Sequence, residues 1–252
     1  MTPSSPWLVL PPNDATAVVR LVCFAHAGGA ASAFYPWRAG LGEQISVAAV
    51  QLPGREDRVR EPLVRSLDAI VGAAGDALQD LARRPLVLFG HSFGAIVAFE
   101  VAKALGAAGG MSPSALIVSG RAAPDLPNRA PRIAHLSAAD VLQETADRYG
   151  GIPDAVFADP QLRALQGRIL QADLEITERY HSASVAALSC PITALGGLDD
   201  AWVTRRELDG WERFTTGAFS CSQLPGGHFY FKSPAIESVF LTRVRSTCLD
   251  VL

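Results

Sequence analysis

The chain has 252 residues, 49% hydrophobic and 19% charged, with 22 basic against 25 acidic residues and a formal net charge of -3. That balance excludes a disordered or fibrous protein, and 22 glycines with 17 prolines are ordinary for a loop-rich enzyme. No block of like charge offers a nucleic-acid footprint, and one α/β domain of this size needs neither disulfides nor a structural metal.

In chain order, the apolar run Trp7 to Leu10 is too short to span a membrane and follows no basic leader. It reads as an edge strand over Leu8 to Leu10 in a soluble, cytoplasmic protein. Strands follow at Arg20 to Phe24 and Ser46 to Val50. Arg55, Arg58, Arg60 and Arg65 then alternate with Glu56, Asp57, Glu61 and Asp68, which reads as a solvated face. A helix over Leu67 to Leu81, a strand at Leu86 to Phe89, a helix over Ala95 to Leu105 and a strand at Ala115 to Ser119 continue the alternation. Residues 125–187 break it: Ser137 to Asp140 suggests a helix-opening cap, and Leu162, Leu165, Ile169 and Leu170 form a helical stripe after Pro160. This stretch is expected to be a helical insertion on the sheet.

Strands at Ile192 to Leu195 and Phe219 to Leu224 enclose a helix over Thr204 to Phe214, and the last helix runs from Pro234 to Cys248 behind Ser233 as N-cap. The pattern predicts a mostly parallel sheet covered by helices. Cys23, Cys190, Cys221 and Cys248 show no paired spacing and read as buried thiols in a reducing compartment.

Gly90-His91-Ser92-Phe93-Gly94 fits G-x-S-x-G between a strand and a helix. There a tight turn presents the serine hydroxyl, and the helix amides face charge developing on a carbonyl oxygen. A serine needs a base. His91 adjoins Ser92 and should point elsewhere, His135 and His181 fall in the insertion, and His26 lies in a loop suited to presenting amides. His228, in Gly226-Gly227-His228-Phe229 after the last strand, is where α/β-hydrolases keep their base. For the acid, Asp199 and Asp200 both follow the strand at Ile192; Asp200 is the first choice, with Asp125 a positional rival. The oxyanion donors are expected to be the amides of Phe93 and of Ala27 in Phe24-Ala25-His26-Ala27-Gly28-Gly29. Neither a dinucleotide fingerprint nor a metal motif is present.

Taken together with Gln51-Leu52-Pro53-Gly54-Arg55-Glu56 and Arg58, Ser119-Gly120-Arg121, Ala172-Asp173 and Gly197 to Val203, these segments make the chain resemble the type II thioesterases that accompany polyketide synthases and nonribosomal peptide synthetases. Ala201 departs from the proline this family often has after its acid. The resemblance implies an α/β-hydrolase fold whose insertion forms a lid. It implies hydrolysis of aberrant or stalled acyl groups from the phosphopantetheine arm of acyl or peptidyl carrier proteins, with no cofactor beyond that arm and no nucleic-acid or membrane partner. Lid movement, rather than the triad, is expected to set acyl preference, and a basic rim near the lid would suit an acidic carrier. A monomer is expected. Two other readings stay open: a general serine esterase or acyl-CoA hydrolase, and a noncatalytic partner of synthase modules.

Overall fold

The computed structural model describes residues 5–12, 15–79, 81, 84–107, 111–182 and 187–252. Among the described residues seven strands form one sheet: β1 (Leu8–Val9), β2 (Val19–Phe24), β3 (Ile45–Val50), β4 (Leu86–His91), β5 (Ala115–Ser119), β6 (Ile192–Gly197) and β7 (Phe219–Leu224). Their order is β1-β3-β2-β4-β5-β6-β7, parallel throughout except that β1 runs antiparallel to β3 at the edge. Each expected strand is present, most extended by a residue or two. The main helices are α1 (Trp37–Leu41), α2 (Leu67–Gln79), α3 (Phe93–Ala107), α4 (Ala138–Tyr149), α5 (Asp154–Ala158), α6 (Pro160–Arg179), α7 (Arg205–Asp209) and α8 (Pro234–Leu249). Residue 80, within the helix expected over Leu67 to Leu81, lies outside the described residues, and the helix expected over Thr204 to Phe214 is α7 continued by a 3-10 turn. Among the described residues no helix is long and apolar enough to cross a membrane.

Period-two alternation in continuously apolar strands produces two cores. Val22 and Phe24 of β2, with Leu86 and Leu88 of β4, pack on one face with Phe99 and Val101 of α3 and with α2. Leu21, Cys23, Val87 and Phe89 face the other way, against Trp37 of α1 and Phe240 and Val244 of α8. Cys23, Cys190 and Cys248 are buried free thiols, whereas Cys221 on edge strand β7 is only half-buried.

Helices α4, α5 and α6 form the insertion between β5 and β6, closed at its base by Ser182 N donating to Pro124 O (3.1 Å). Residues 183–186, at the end of the expected span 125–187, lie outside the described residues. Val141, Leu142 and Leu170 give the insertion a small core of its own. Ser137 caps α4 through Asp140 N (3.2 Å), but the reciprocal capping box is at Thr204 and Glu207 of α7, which the sequence reading did not single out. Ser233 makes no side-chain cap; its carbonyl accepts from Ile236 and Glu237 while Pro234 opens α8. The five-residue α5 buries none of its side chains, which is why no apolar stripe announced it.

After β2 the chain crosses to β3 on one side, then returns to β4 on the other. Loops leaving the carboxyl ends of β2 and β4 therefore diverge and open a crevice, the place where open α/β sheets bind ligands. A β-carbon at Gly94 would lie 2.1 Å from Phe24 O, so only glycine lets α3 approach β2 there. Gly94→Ala is expected to cost about 3 kcal/mol or more, measured by urea unfolding, because backbone and not a pliable side chain must move.

Candidate active site

Ser92 lies between β4 and α3 with φ +56°, a left-handed conformation rare for a residue with a side chain. The turn is held by Ser92 N donating to Ser119 O (2.8 Å), and a β-carbon at Gly90 would lie 2.1 Å from Gly94 O. The G-x-S-x-G spacing is thus a steric requirement of the elbow. From it the serine reaches a cavity of about 440 Å³, also lined by His228 and by the apolar Ile133, Leu165, Ile169 and Leu170 of the insertion.

His228 follows β7, and its Nδ1 donates to Asp200 Oδ2 (2.8 Å), with both side chains buried. The remaining oxygen, Oδ1, accepts from Trp202 N (2.9 Å), so the carboxylate is held at both ends. That bond fixes the tautomer in which Nε2 keeps its lone pair. Asp199 is exposed and bonds Gly226 N (3.2 Å), while Asp125 is paired with Arg213 (2.7 Å). Among the described residues no hydrogen bond joins Ser92 to His228; both groups line one cavity, and such bonds often tighten only when substrate is bound.

In the loop after β2, Gly28 N donates to Asp173 Oδ2 (2.8 Å) and Gly29 N to His26 O (2.8 Å). The amides of Ala27 and of Phe93, the first residue of α3, make no hydrogen bond among the described residues.

His91 Nδ1 is 2.9 Å from Ser119 Oγ, itself 2.7 Å from Tyr230 Oη, while its ring lies 4.8 Å from that of His228. Desolvation pushes its pKa well below the usual histidine value, helped by His228, His26 and Lys232. His26 packs on Phe229 (4.8 Å) and is pushed to about 3 by desolvation, then by Lys232, His228 and Arg55. His135 and His181 are exposed.

The solvated reading of the arginine cluster is overturned for two of its members. Arg55 and Arg58 are only 3% and 7% exposed. Arg55 forms a two-pronged pair with Asp173 of α6 (2.8 and 2.9 Å) and donates to Gly29 O (3.0 Å). Arg58 pairs with Glu61 and donates to Gln51 O (2.9 Å). Composition gave no sign of this, because Asp173 is 118 positions away. Two further cavity residues, Gln166 and Tyr149, escaped the sequence reading, and Arg121 entered it only as part of the segment Ser119-Gly120-Arg121. Gln166 Nε2 donates to Gly28 O (2.8 Å), the Tyr149 ring packs at a tilt against His228 (4.8 Å between centroids), and Arg121 lines the cavity with neither ion pair nor hydrogen bond from its guanidinium among the described residues. Burial draws the Arg121 pKa down, with partial compensation from Tyr180 and Tyr149.

A seven-stranded, mostly parallel sheet with serine on a left-handed elbow and a histidine–aspartate pair at the carboxyl edge defines an α/β-hydrolase. Residues 19–246 match the family model described as Thioesterase domain, and the chain belongs to that family. The gramicidin S biosynthesis protein GrsT of Aneurinibacillus migulanus is 34% identical over 233 residues, covering 92% of this chain and 91% of the relative. Among solved structures, the RedJ thioesterase from the prodiginine pathway of Streptomyces coelicolor superimposes with a TM-score of 0.85 at 36% identity, covering 94% of this chain and 88% of that one. The type II thioesterase BorB from the borrelidin biosynthetic cluster gives 0.82 at 32% identity, covering 96% of each chain.

The two depressed histidines set an acid limit on the fold. The unfolded chain protonates both rings below about 6.5, whereas folded His26 stays neutral down to about 3. Stability from the neutral rings is complete above pH 6.5 and is lost as pH falls through that window. Urea unfolding from pH 6.5 to 4 is expected to show steadily falling stability, and His26→Asn to flatten that slope by about 1.4 kcal/mol per pH unit.

Proposed function

We propose that this chain is an editing thioesterase that releases acyl groups from phosphopantetheine arms of carrier proteins in a polyketide or nonribosomal peptide pathway. The buried His228–Asp200 bond (2.8 Å), beside a serine held at φ +56° on the same cavity, carries the chemical part of this reading. The pathway assignment is supported by the full-length likeness to GrsT, RedJ and BorB.

Ser92 Oγ attacks the thioester carbonyl as His228 Nε2 takes its proton, and the oxyanion is received by the amides of Ala27 and Phe93. Collapse expels the pantetheine sulfur, which leaves as a thiol with the proton carried by His228. Water then attacks the acyl-serine, again deprotonated by His228, and the acid departs as Ser92 regains its proton. No cofactor of the enzyme's own enters this cycle. Helices α4 to α6 serve as the lid whose apolar side chains exclude bulk water.

Arg121 adds a preference to this scheme. A guanidinium that makes no ion pair or hydrogen bond among the described residues, in a chamber whose insertion side carries Ile133, Leu165, Ile169 and Leu170, favours acyl groups carrying an acceptor oxygen beyond the thioester over plain alkyl groups.

Release of acid from acyl-loaded carrier protein tests the reaction. Ser92→Ala is expected to lower turnover about 10⁴-fold or more, and Asp200→Asn about 10⁴-fold, with the circular dichroism spectrum retained. Asp199→Asn should leave turnover unchanged; equal loss there would move the acid. Faster turnover on acyl-CoA than on the matching acyl carrier would redirect the substrate assignment. For Arg121→Met, the ratio of kcat/KM for acetoacetyl over butyryl thioesters is expected to fall about tenfold or more, as for loss of a hydrogen bond to a charged group.

A further inference from the structure

We propose that α6 is part of the oxyanion hole's scaffold, with Asp173, Arg55 and Gln166 acting as positioning residues for the Ala27 amide. This rests on the hydrolase reading above and adds to it a fixed role for one lid helix.

The peptide planes around Ala27 are held one after another. The plane carrying its N–H also carries His26 O, which accepts from Gly29 N (2.8 Å). The next plane carries Gly28 N, which donates to Asp173 Oδ2 (2.8 Å). The plane after that carries Gly28 O, which accepts from Gln166 Nε2 (2.8 Å), and the following one carries Gly29 O, which accepts from Arg55 Nη1 (3.0 Å). Four successive peptides are therefore pinned, two of them by side chains of α6 and one by Arg55. The Ala27 N–H, carried by the first of them, makes no bond among the described residues. Gly28 has φ +76°, and a β-carbon there would lie 2.7 Å from Gln166 Nε2 and from Leu170 Cδ2, so the loop is pressed against α6.

The charges fit the same role. Asp173 alone beside the hole would oppose an oxyanion, but its two oxygens are met by the two prongs of Arg55 at 2.8 and 2.9 Å. Asp173 is 0% and Arg55 3% exposed. A buried ion pair contributes little net stability compared with apolar side chains of similar volume, while breaking one is costly, so such pairs act as locks. This one joins the loop after β2, the loop after β3 and α6. Swinging α6 outward would break it and release the peptides that aim Ala27.

The test uses the full chain with Gln166→Met and Asp173→Asn. It reads kcat and KM, the Ki of a trifluoromethyl ketone whose adduct with serine places an oxyanion in the hole, and the Kd of a non-hydrolysable thioether analogue. Gln166→Met is expected to lower kcat about tenfold with KM changed less than about twofold, and Asp173→Asn about 10²-fold or more. Ketone affinity should weaken by the same factors while thioether affinity and the Gln166→Met urea midpoint stay constant. Equal weakening of ketone and thioether, or unchanged kcat in Gln166→Met, overturns the proposal; if Asp173→Asn fails to fold, Gln166→Met decides alone. Ser92→Ala is run in parallel. If it keeps full turnover the hydrolase reading itself fails, whereas an inactive Ser92→Ala beside a fully active Gln166→Met removes only the role of α6.

Discussion

A serine at φ +56° costs on the order of 1–3 kcal/mol, and it persists only because its surroundings leave the backbone no alternative. Three constraints converge on it. β4 delivers the chain at the centre of a sheet buried on both faces, α3 leaves at once under a glycine that touches Phe24 O, and Ser119 O on β5 takes the Ser92 amide. Each comes from a different part of the sheet, so the elbow's geometry is a property of the whole fold. The same approach of α3 to β2 sets the first turn of α3, which begins at Phe93, against the segment Phe24–Ala25 that leads into the loop holding Ala27, so that two segments about 65 positions apart meet beside Ser92.

The electrostatics around that point are managed by removing some charges and pairing others. His26 and His91 stay neutral through desolvation, so they surround His228 with polarisable rings and not with competing cations. Arg55 is cancelled by Asp173, Arg58 by Glu61. Among the described residues the Arg121 guanidinium has no ion-pair or hydrogen-bond partner, and Lys232 lies over the Phe229 ring (4.2 Å). Asp200 on His228 Nδ1 and Glu178, which accepts from the Ile133 and Ala134 amides, bring negative charge to the same region, so an anion formed there is favoured by the placement of individual donors and not by net charge.

What the sequence disclosed divides along the range of the interactions involved. Strands β2 to β7 were legible because continuous apolar runs between turn residues are a local signal, and the elbow because glycines at fixed offsets from a serine are one too. His228 and Asp200 were legible because each directly follows a strand whose carboxyl end must reach the crevice. The structure brings those two together and sends Asp199 and Asp125 elsewhere. Arg55 failed for the opposite reason. In sequence it stands among acidic neighbours and looks solvated, yet its partner is on a helix 118 positions away. Gln166 and Tyr149 failed similarly, since nothing in a helical stripe says which polar residue will overhang a catalytic loop. Charge alternation describes a chain's neighbours in sequence, whereas burial is decided by its neighbours in space.

That distinction changes what the insertion can do. An insertion with a small core of its own could be pictured as a flap moving as a body, with selectivity following from its opening. Yet α6 is tied to the body by the Arg55–Asp173 pair, by Tyr180 Oη donating to Glu100 of α3 (2.7 Å) and by Arg65 with Glu175. The first two ties include buried or partly buried groups, so water does not replace them freely when they break. α5 carries none of these ties: it buries no side chain fully, and its Val156 and Phe157 pack on the insertion's own small core. The insertion then has two mechanical parts. One, α6, is tied by ion pair and hydrogen bond to the body that carries Ser92 and the loop after β2, and the other, α5, is held through the insertion's own small core, so a force on α6 bears on that loop directly while a force on α5 does not.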